Sequence, residues 1–516
     1  MLSTGAIMKD KAPQRISAFD DFGFKAAVCS LHENVRDLYT SFNAPWVIGY
    51  SGGKDSSAVL QLVWTAISTL PEADRRVPIY IISTDTLVEN PVVALWVMES
   101  LDKMEKVARV SGLPFFPHRL TPEVEDSFWV NLIGKGYPAP RPKFRWCTSR
   151  LKINPSNKFI SEVIEKSGEA ILALGMRKAE SSMRARSMEK YEGAREKSQK
   201  YVENEYLTPN AGTPNSYVYT PIENWTNDDV WQYLLENNKT PWGSDNNELL
   251  DFYKGATKDR ECPMAITTDT PSCGDSRFGC WVCTMVSQDK SMQAMIQNDE
   301  EKEWMLPLLK YRDSFDIKED RERRDFRRIN GRVQLYNDRA IHGPYWQEER
   351  KDLLRRLLQV QKEVQEKKPD SVPDLEIITI DELNEIRRIW NREKDEIEDY
   401  VPEIYENVFG RPFPYPQFDE SAIIGRDELK ILEEVCDGDT LHYQLVRGLI
   451  SQEQKFRLMV RRSGLFDVLE QTIAKHYYED EKDATDREKY FQEKKKEMEK
   501  RPEQIRLEDY IKRVNN

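Results

Sequence analysis

Val47-Ile48-Gly49-Tyr50-Ser51-Gly52-Gly53-Lys54-Asp55-Ser56-Ser57 restricts the possible folds more than any other stretch of this chain. Val47 and Ile48 form the short apolar run of a buried strand. Ala58, Val59, Leu60, Leu62, Val63 and Ile67 are spaced as the apolar side of a helix. Between them, Ser51-Gly52-Gly53 predicts a tight turn. Glycines let successive backbone N–H groups face one concavity, and the helix dipole adds positive potential there. Lys54 adds a full charge, so the stretch predicts an anion site. A Walker loop is excluded, because that loop needs Gly-x4-Gly-Lys followed by Ser or Thr.

The same strand–helix rhythm continues downstream. Val77 to Asp85 reads as a second buried strand ending in a polar cluster, and Pro91 to Val110 as a helix. Pro114 to Leu120 is a candidate third strand, Ser156 to Lys166 a helix, and Ala170 to Gly175 another buried strand. Tyr217 to Ile222 is a further strand, followed by a helix from Thr226 to Glu236 with Thr226 as its N-cap. The pattern predicts an α/β fold with a parallel sheet covered on both faces. In such sheets ligands bind at the carboxyl ends of the strands, near a switch in strand order. Residues 190–216 read as a long loop or lid.

Four segments are expected: a leader and helix over 1–40, the α/β domain over 41–250, a cysteine segment over 251–295, and a mostly α-helical C-terminal region over 296–516. In the last, Trp346 to Gln365, Asp381 to Ile397 (with Asp381 as N-cap), Glu428 to Val435 and Leu441 to Val460 read as helices. Tyr400 to Phe418, rich in Pro and aromatics, reads as an irregular strap, and the tail from Glu479 as a solvated helix or disorder. Charged residues make up 32% of the chain, which suits such long solvated helices. The net charge of −13 argues against a wholesale nucleic-acid coating. No apolar run is long enough for a membrane span, and no signal peptide is evident, so a cytoplasmic protein with no membrane partner is expected.

Three further groups carry chemistry. Gly175-Met176-Arg177-Lys178-Ala179-Glu180-Ser181-Ser182-Met183-Arg184 follows a buried strand directly. Arg177 and Arg184 suit bidentate phosphate contacts, and Glu180 suits orienting them or holding Mg2+. Cys262, Cys273, Cys280 and Cys283 give Cys-x10-Cys-x6-Cys-x2-Cys, which fits either structural zinc or a 4Fe–4S cluster. Cys147 stands apart, flanked by Arg145, Arg150 and Lys152, cations that lower a thiol pKa and favour a nucleophilic thiolate. Cys29 and Cys436 sit in apolar helical patterns and read as core. The run Arg321 to Arg332 is basic with one aromatic, and reads either as a nucleic-acid contact or as a salt-bridged solvated helix.

The Ser-Gly-Gly-Lys-Asp-Ser stretch resembles the PP-loop of ATP pyrophosphatases, which split ATP between the α and β phosphates. Gly175 to Ser181, and Pro221-Ile222-Glu223-Asn224-Trp225 with Asp229-Val230-Trp231-Gln232-Tyr233, are similar to motifs of the PAPS reductase family. That resemblance implies phosphate binding by Ser51, Gly52, Gly53, Asp55 and Ser56, and a place for Asp85 near the ribose or the metal. It also shifts the cysteine set toward a 4Fe–4S cluster. The Cys147 segment resembles the Cys-Cys-x-x-Arg-Lys element of iron–sulfur reductases, with Trp146 in place of the first cysteine. Cys147 is therefore either a sulfur carrier or a cluster ligand. Over nearly its full length the arrangement resembles the DndC family, the sulfurtransferases of bacterial DNA phosphorothioation. What that implies is an ATP pyrophosphatase using ATP, Mg2+ and a 4Fe–4S cluster, with Lys54, Asp55, Arg177, Arg184 and Cys147 as catalytic residues. Its implied partners are a cysteine desulfurase as sulfur donor, companion DNA-phosphorothioation proteins, and DNA.

Overall fold

Trp46–Gly49 (β1) is the centre from which the chain winds both ways. The structure is a computed structural model, and it describes residues 17–180, 185–186, 188, 204–210, 212–257, 278–416, 424–457, 459, 462–476 and 478–500. Arg184, Cys262 and Cys273 lie outside the described residues. The chain divides into two units, one of residues 1–123 with 141–312 and one of residues 124–140 with 313–516.

In the first unit, β1 is joined by Ile79–Thr84 (β2), Phe115–Leu120 (β3), Ala170–Ala173 (β4), Leu207–Pro209 (β5) and Ser216–Tyr219 (β6). Their order across the sheet is β3-β2-β1-β4-β6-β5. All neighbouring pairs are parallel except β5 with β6. Trp46 of β1 lies in register with Ile79 of β2 on one side and Ile171 of β4 on the other. The chain runs outward from β1 to β3, then returns to β4 on the opposite side. The switch in strand order therefore falls between β1 and β4, where the loops leaving two parallel strands diverge and open a crevice.

The predicted parallel α/β sheet is present. The predicted lid over 190–216 is corrected at its end, because β5 pairs antiparallel with β6 as an edge strand. Residues 190–203 and 211 of that segment lie outside the described residues. The helix after β1, Lys54–Ser68, is buried along most of its length. Trp64 stacks on Phe115 with centroids 4.1 Å apart, and both Trp46 and Trp64 have almost no solvent contact. This core fixes where the turn before Lys54 can sit. Cys29 lies exposed on the helix Phe24–Ser41, which buries Val28, Leu31, Val35 and Leu38 instead, so its expected core role is corrected.

The second unit is mainly helical. Gln347–Lys367 buries Leu353, Leu354, Leu357, Leu358 and Val364, the three- and four-residue spacing of one helix face. The expected strap holds a helix, Tyr400–Phe409. Pro402 is tolerated in its first turn, where a backbone N–H has no intrahelical acceptor. The next correction concerns the cap expected at Asp381. Thr379 caps the helix Ile380–Arg388, accepting from the Glu382 N–H at 3.2 Å, while the Glu382 carboxylate accepts from the Thr379 N–H at 2.9 Å. The run 321–332 forms one short 3-10 turn at Arg321–Arg323 rather than a helix. Arg321, Arg323, Arg324 and Arg327 pair with Glu481, Glu349, Asp320 and Asp325. No described helix is long and apolar enough to cross a membrane.

Candidate functional site

The glycine turn closes on itself through serine hydroxyls. Ser51 N–H donates to Ser56 Oγ at 3.2 Å, and Ser56 Oγ donates to the Gly53 carbonyl at 2.9 Å. Ser51, Gly53 and Ser56 therefore hold the turn's shape with bonds of their own. Gly52 adopts φ +73°, a left-handed conformation that disfavours side chains. A Cβ there would also come within 2.5 Å of Val97 and 3.2 Å of Trp96. Lys54 opens the helix that follows, so its backbone N–H is one of the first-turn donors without an intrahelical acceptor. Tyr253 meets that donor: Lys54 N–H donates to its hydroxyl at 3.3 Å.

Asp55 ties this turn to the loop after β4. Arg177 Nε donates to Asp55 Oδ1 at 2.6 Å, and Lys54 Nζ lies 3.1 Å from Asp55 Oδ2. One carboxylate thus fixes two cations beside the glycine turn. The Arg177 side chain is only 4% exposed, so it acts as a strut as much as a ligand. Its NH1 also donates to the Trp225 carbonyl at 3.3 Å. Gly175 is required by contact, since a Cβ there would lie 2.7 Å from the Asp55 carbonyl carbon and oxygen. The next residues, Lys178–Glu180, form a 3-10 turn, and Lys178 Nζ reaches Asn224 Oδ1 at 2.9 Å.

Asp85, after β2, accepts from Arg119 Nε at 2.9 Å and from the Leu87 N–H at 2.8 Å. Leu87 takes φ +62°, which the Asp85 contact helps to hold. That bend delivers Thr86 and Glu89 to Cys280. Glu89 and Cys280 form an isolated antiparallel bridge, with the Asn90 N–H on the Gly279 carbonyl at 3.2 Å and the Trp281 N–H on the Val88 carbonyl at 3.0 Å. Cys280 Sγ lies 3.3 Å from Thr86 Oγ1 and 3.6 Å from Glu89 Oε1. The same Glu89 oxygen lies 3.1 Å from Lys152 Nζ.

Burial pushes the Cys280 thiol well above its ordinary pKa, and the Glu89 charge adds to the rise. Burial alone would lower the pKa of Lys152, but Cys280 once ionised and the Glu89 carboxylate outweigh burial and raise it. At Cys147 the expected direction is reversed. Burial raises its thiol pKa, and nearby Cys283 raises it further, against lowering by hydrogen bonds to Thr148. The flanking cations do not overcome desolvation there.

Among the described residues, no group of three or more His, Cys, Asp or Glu side chains is spaced to hold a metal ion. Cys280 and Cys283 nevertheless supply two sulfurs on one turn, closed by the Cys283 N–H on the Cys280 carbonyl at 3.1 Å. The Lys152 ammonium and the Thr86 hydroxyl nearby favour a thiolate at Cys280, against the Glu89 carboxylate 3.6 Å away. The donor chemistry of this pair therefore fits a thiolate-ligated centre.

Residues 45–285 match the model of the phosphoadenosine phosphosulfate reductase domain family. They form a PAPS reductase-like domain. An uncharacterized protein of Methanocaldococcus jannaschii is 28% identical to this chain over 208 residues, 40% of this chain and 35% of that protein. The chain thus spans about a third of the length of that relative. A PAPS reductase from Candida auris, solved with phosphate, is 15% identical with a TM-score of 0.26, covering 46% of this chain and 93% of that one. A U34-tRNA thiolase, NcsA, from Methanococcus maripaludis, solved with its 4Fe–4S cluster, is 14% identical with a TM-score of 0.25, covering 57% of this chain and 81% of that one.

Within the PAPS reductase-like domain, the structure brings together Ser51, Gly52, Gly53, Lys54, Asp55, Ser56, Gly175 and Arg177. It sets Cys147 close enough to Cys283 to feel its charge, and it engages Asp85 with Arg119. Sequence reasoning missed Tyr253, Trp96, Thr86 and Glu89. Glu89 carried a usable signal, since it lies in the polar stretch after a buried strand. Tyr253 carried none, because its role comes from a helix 199 residues away in sequence from Lys54.

Proposed function

We propose that this protein is an ATP-dependent sulfurtransferase that helps to place sulfur in the DNA backbone as phosphorothioate. The observation that carries the reading is the Asp55 contact, which joins Lys54 and Arg177 beside the glycine turn. That arrangement suits the α–β cleavage of ATP, in which pyrophosphate leaves and negative charge spreads over the phosphate oxygens. Lys54 and the turn's amides hold the β and γ phosphates, Arg177 keeps Asp55 and Lys54 in register, and Mg2+ accompanies the nucleotide. Arg184 is proposed to join them.

In the first step an acceptor phosphate oxygen attacks the α phosphorus, the α–β bridge breaks, and pyrophosphate departs. In the second, the outer sulfur of a persulfide on Cys147, charged by a cysteine desulfurase, attacks the activated phosphorus and AMP leaves. A dithiol reductant then cleaves the remaining S–S bond, freeing the thiolated acceptor and the Cys147 thiol. A 4Fe–4S cluster held by Cys262, Cys273, Cys280 and Cys283 would supply electron transfer or sulfur binding. Companion DNA-phosphorothioation proteins would present the DNA.

A second reading has support in the match to the phosphoadenosine phosphosulfate reductase domain. In it the same domain acts on a sulfonucleotide or on tRNA. Purified protein with ATP, a cysteine desulfurase and cysteine separates the readings when DNA, tRNA and PAPS are offered in turn. Release of pyrophosphate that depends on DNA supports the first. Release that depends on tRNA, or consumption of PAPS, supports the second. Absence of release with every acceptor leaves only a nucleotide-sensing scaffold.

A further inference from the structure

Tyr253 lies outside both the glycine turn and the Cys280–Cys283 turn, yet it touches the first and packs on Phe278, two residues before the second. It lies on the helix Asn246–Gly255. Its hydroxyl accepts from the Lys54 N–H at 3.3 Å, and its ring lies 5.6 Å from Lys54 Nζ. A Cβ at Gly53 would meet the same hydroxyl at 3.3 Å. The phenolic oxygen thus sits on the first donor of the helix, where a phosphate oxygen would bind.

The ring is wedged between two others. Trp231 meets it edge-on with centroids 5.1 Å apart, and Phe278 meets it edge-on at 4.5 Å. Phe278 also packs on Phe252 at 4.6 Å. Trp231 is fully buried, so it cannot yield when the tyrosine moves. Phe278 is only partly buried and is the neighbour that can give way. Two residues further on, Cys280 pairs with Glu89.

The opposite flank of the turn leads to the same place. Trp96 and Val97, which back Gly52, lie on the helix Pro91–Val110. That helix is capped by Asn90, whose own N–H binds the Gly279 carbonyl at 3.2 Å. Both walls of the glycine turn therefore converge on Gly279 and Cys280.

We propose that Tyr253 is a gate linking phosphate binding to the Cys280–Cys283 turn. Its hydroxyl accepts from the Lys54 N–H and competes for that donor with any incoming phosphate oxygen. An incoming phosphate oxygen takes that donor, the tyrosine ring shifts, and Phe278 loosens the Glu89–Cys280 bridge. Nucleotide arrival would then open the sulfur segment at the moment an acceptor is being activated. The proposal rests on the phosphate-site reading above and adds a regulation to it.

The test uses the full chain with inorganic pyrophosphate as the probe. Calorimetry is run on wild type, Tyr253→Phe and Phe278→Ala, with exchange of the Trp281 and Cys283 amides followed by hydrogen–deuterium mass spectrometry. Tyr253→Phe keeps the ring and removes the competing acceptor, so pyrophosphate should bind about threefold to tenfold tighter, as expected for one hydrogen bond. Pyrophosphate should speed exchange at the two amides in wild type, and Phe278→Ala should bind it yet show no further speeding. Equal or weaker binding by Tyr253→Phe overturns the gate. So does unchanged exchange in wild type that demonstrably binds pyrophosphate. No binding by wild type at millimolar pyrophosphate removes the phosphate site itself, and the gate with it.

Discussion

Gly175 packs so closely on Asp55 that a single added carbon would stand 2.7 Å from the Asp55 carbonyl. The loop after β4 and the helix after β1 are therefore in backbone contact, and Arg177 reaches Asp55 across the same seam at 2.6 Å. The switch in strand order puts these two loops side by side, and Gly175 lets them touch.

Gly175→Ala should damage the site more than its size suggests. The clash is with backbone, which cannot turn aside, so the β4 loop must move and carry Arg177 with it. A loss of about 1–3 kcal/mol in stability is expected, the usual cost of overpacking. Pyrophosphate affinity should fall at least tenfold. Chemical denaturation and calorimetry on the same samples check both.

Asp55→Ala removes the carboxylate that anchors two cations and leaves the Arg177 charge buried without it. Breaking one side of a buried pair costs about 3–5 kcal/mol. Asp55→Asn keeps the shape and one acceptor, and should retain more of the stability. Both should abolish pyrophosphate release from ATP. Release near the wild-type rate from Asp55→Asn would show that the carboxylate charge is not needed.

Metal content tests the sulfur segment. Protein purified without oxygen should carry iron and acid-labile sulfide, and Cys280→Ser or Cys283→Ser should lose most of both. Zinc without iron would assign the four cysteines a structural role. Cys147→Ser separates the two roles proposed for that residue. If Cys147 is the carrier, iron content stays while sulfur transfer ceases, whereas a ligand role predicts that both fall.

In the second unit, Lys394 predicts a pH dependence. Burial drives its pKa down to about 7, and the Arg350 charge pushes the same way, against Glu396, Asp325 and Glu393. In the unfolded chain it titrates near 10.4, so between these values the unfolded state binds more protons. Stability contributed by this site therefore rises with pH from about 7 to about 10 and is least below 7. Lys394→Met should raise stability at neutral pH by about 2 kcal/mol and flatten that rise, read from urea midpoints between pH 6 and 9.

Much of the first unit was legible because its information is local. Apolar runs announced the strands, Ser-Gly-Gly announced the turn, and Gly175 with Arg177 announced the second loop. What escaped depends on distant packing. The Cys147 thiol was expected to be acidified by its neighbours in sequence, but its burial, which those neighbours do not reveal, decides the direction. Tyr253 and Glu89 meet their partners only after the sheet has folded. Pro402 made a helix look like a strap, because a proline in a first turn resembles one in a loop. The segment 124–140 joins the second unit by tertiary contacts such as Trp129 Nε1 on the Ile377 carbonyl at 2.7 Å, which no periodicity announces.

The central claim is tested most directly by feeding sulfur-labelled cysteine to cells that carry the companion proteins with either wild-type chain or Asp55→Ala, then counting label in purified DNA and tRNA. Label is expected in wild-type DNA, surviving nuclease digestion as a phosphorothioate-linked dinucleotide, and is expected to be lost with Asp55→Ala. Equal labelling of DNA in both strains, or label confined to tRNA, would contradict it.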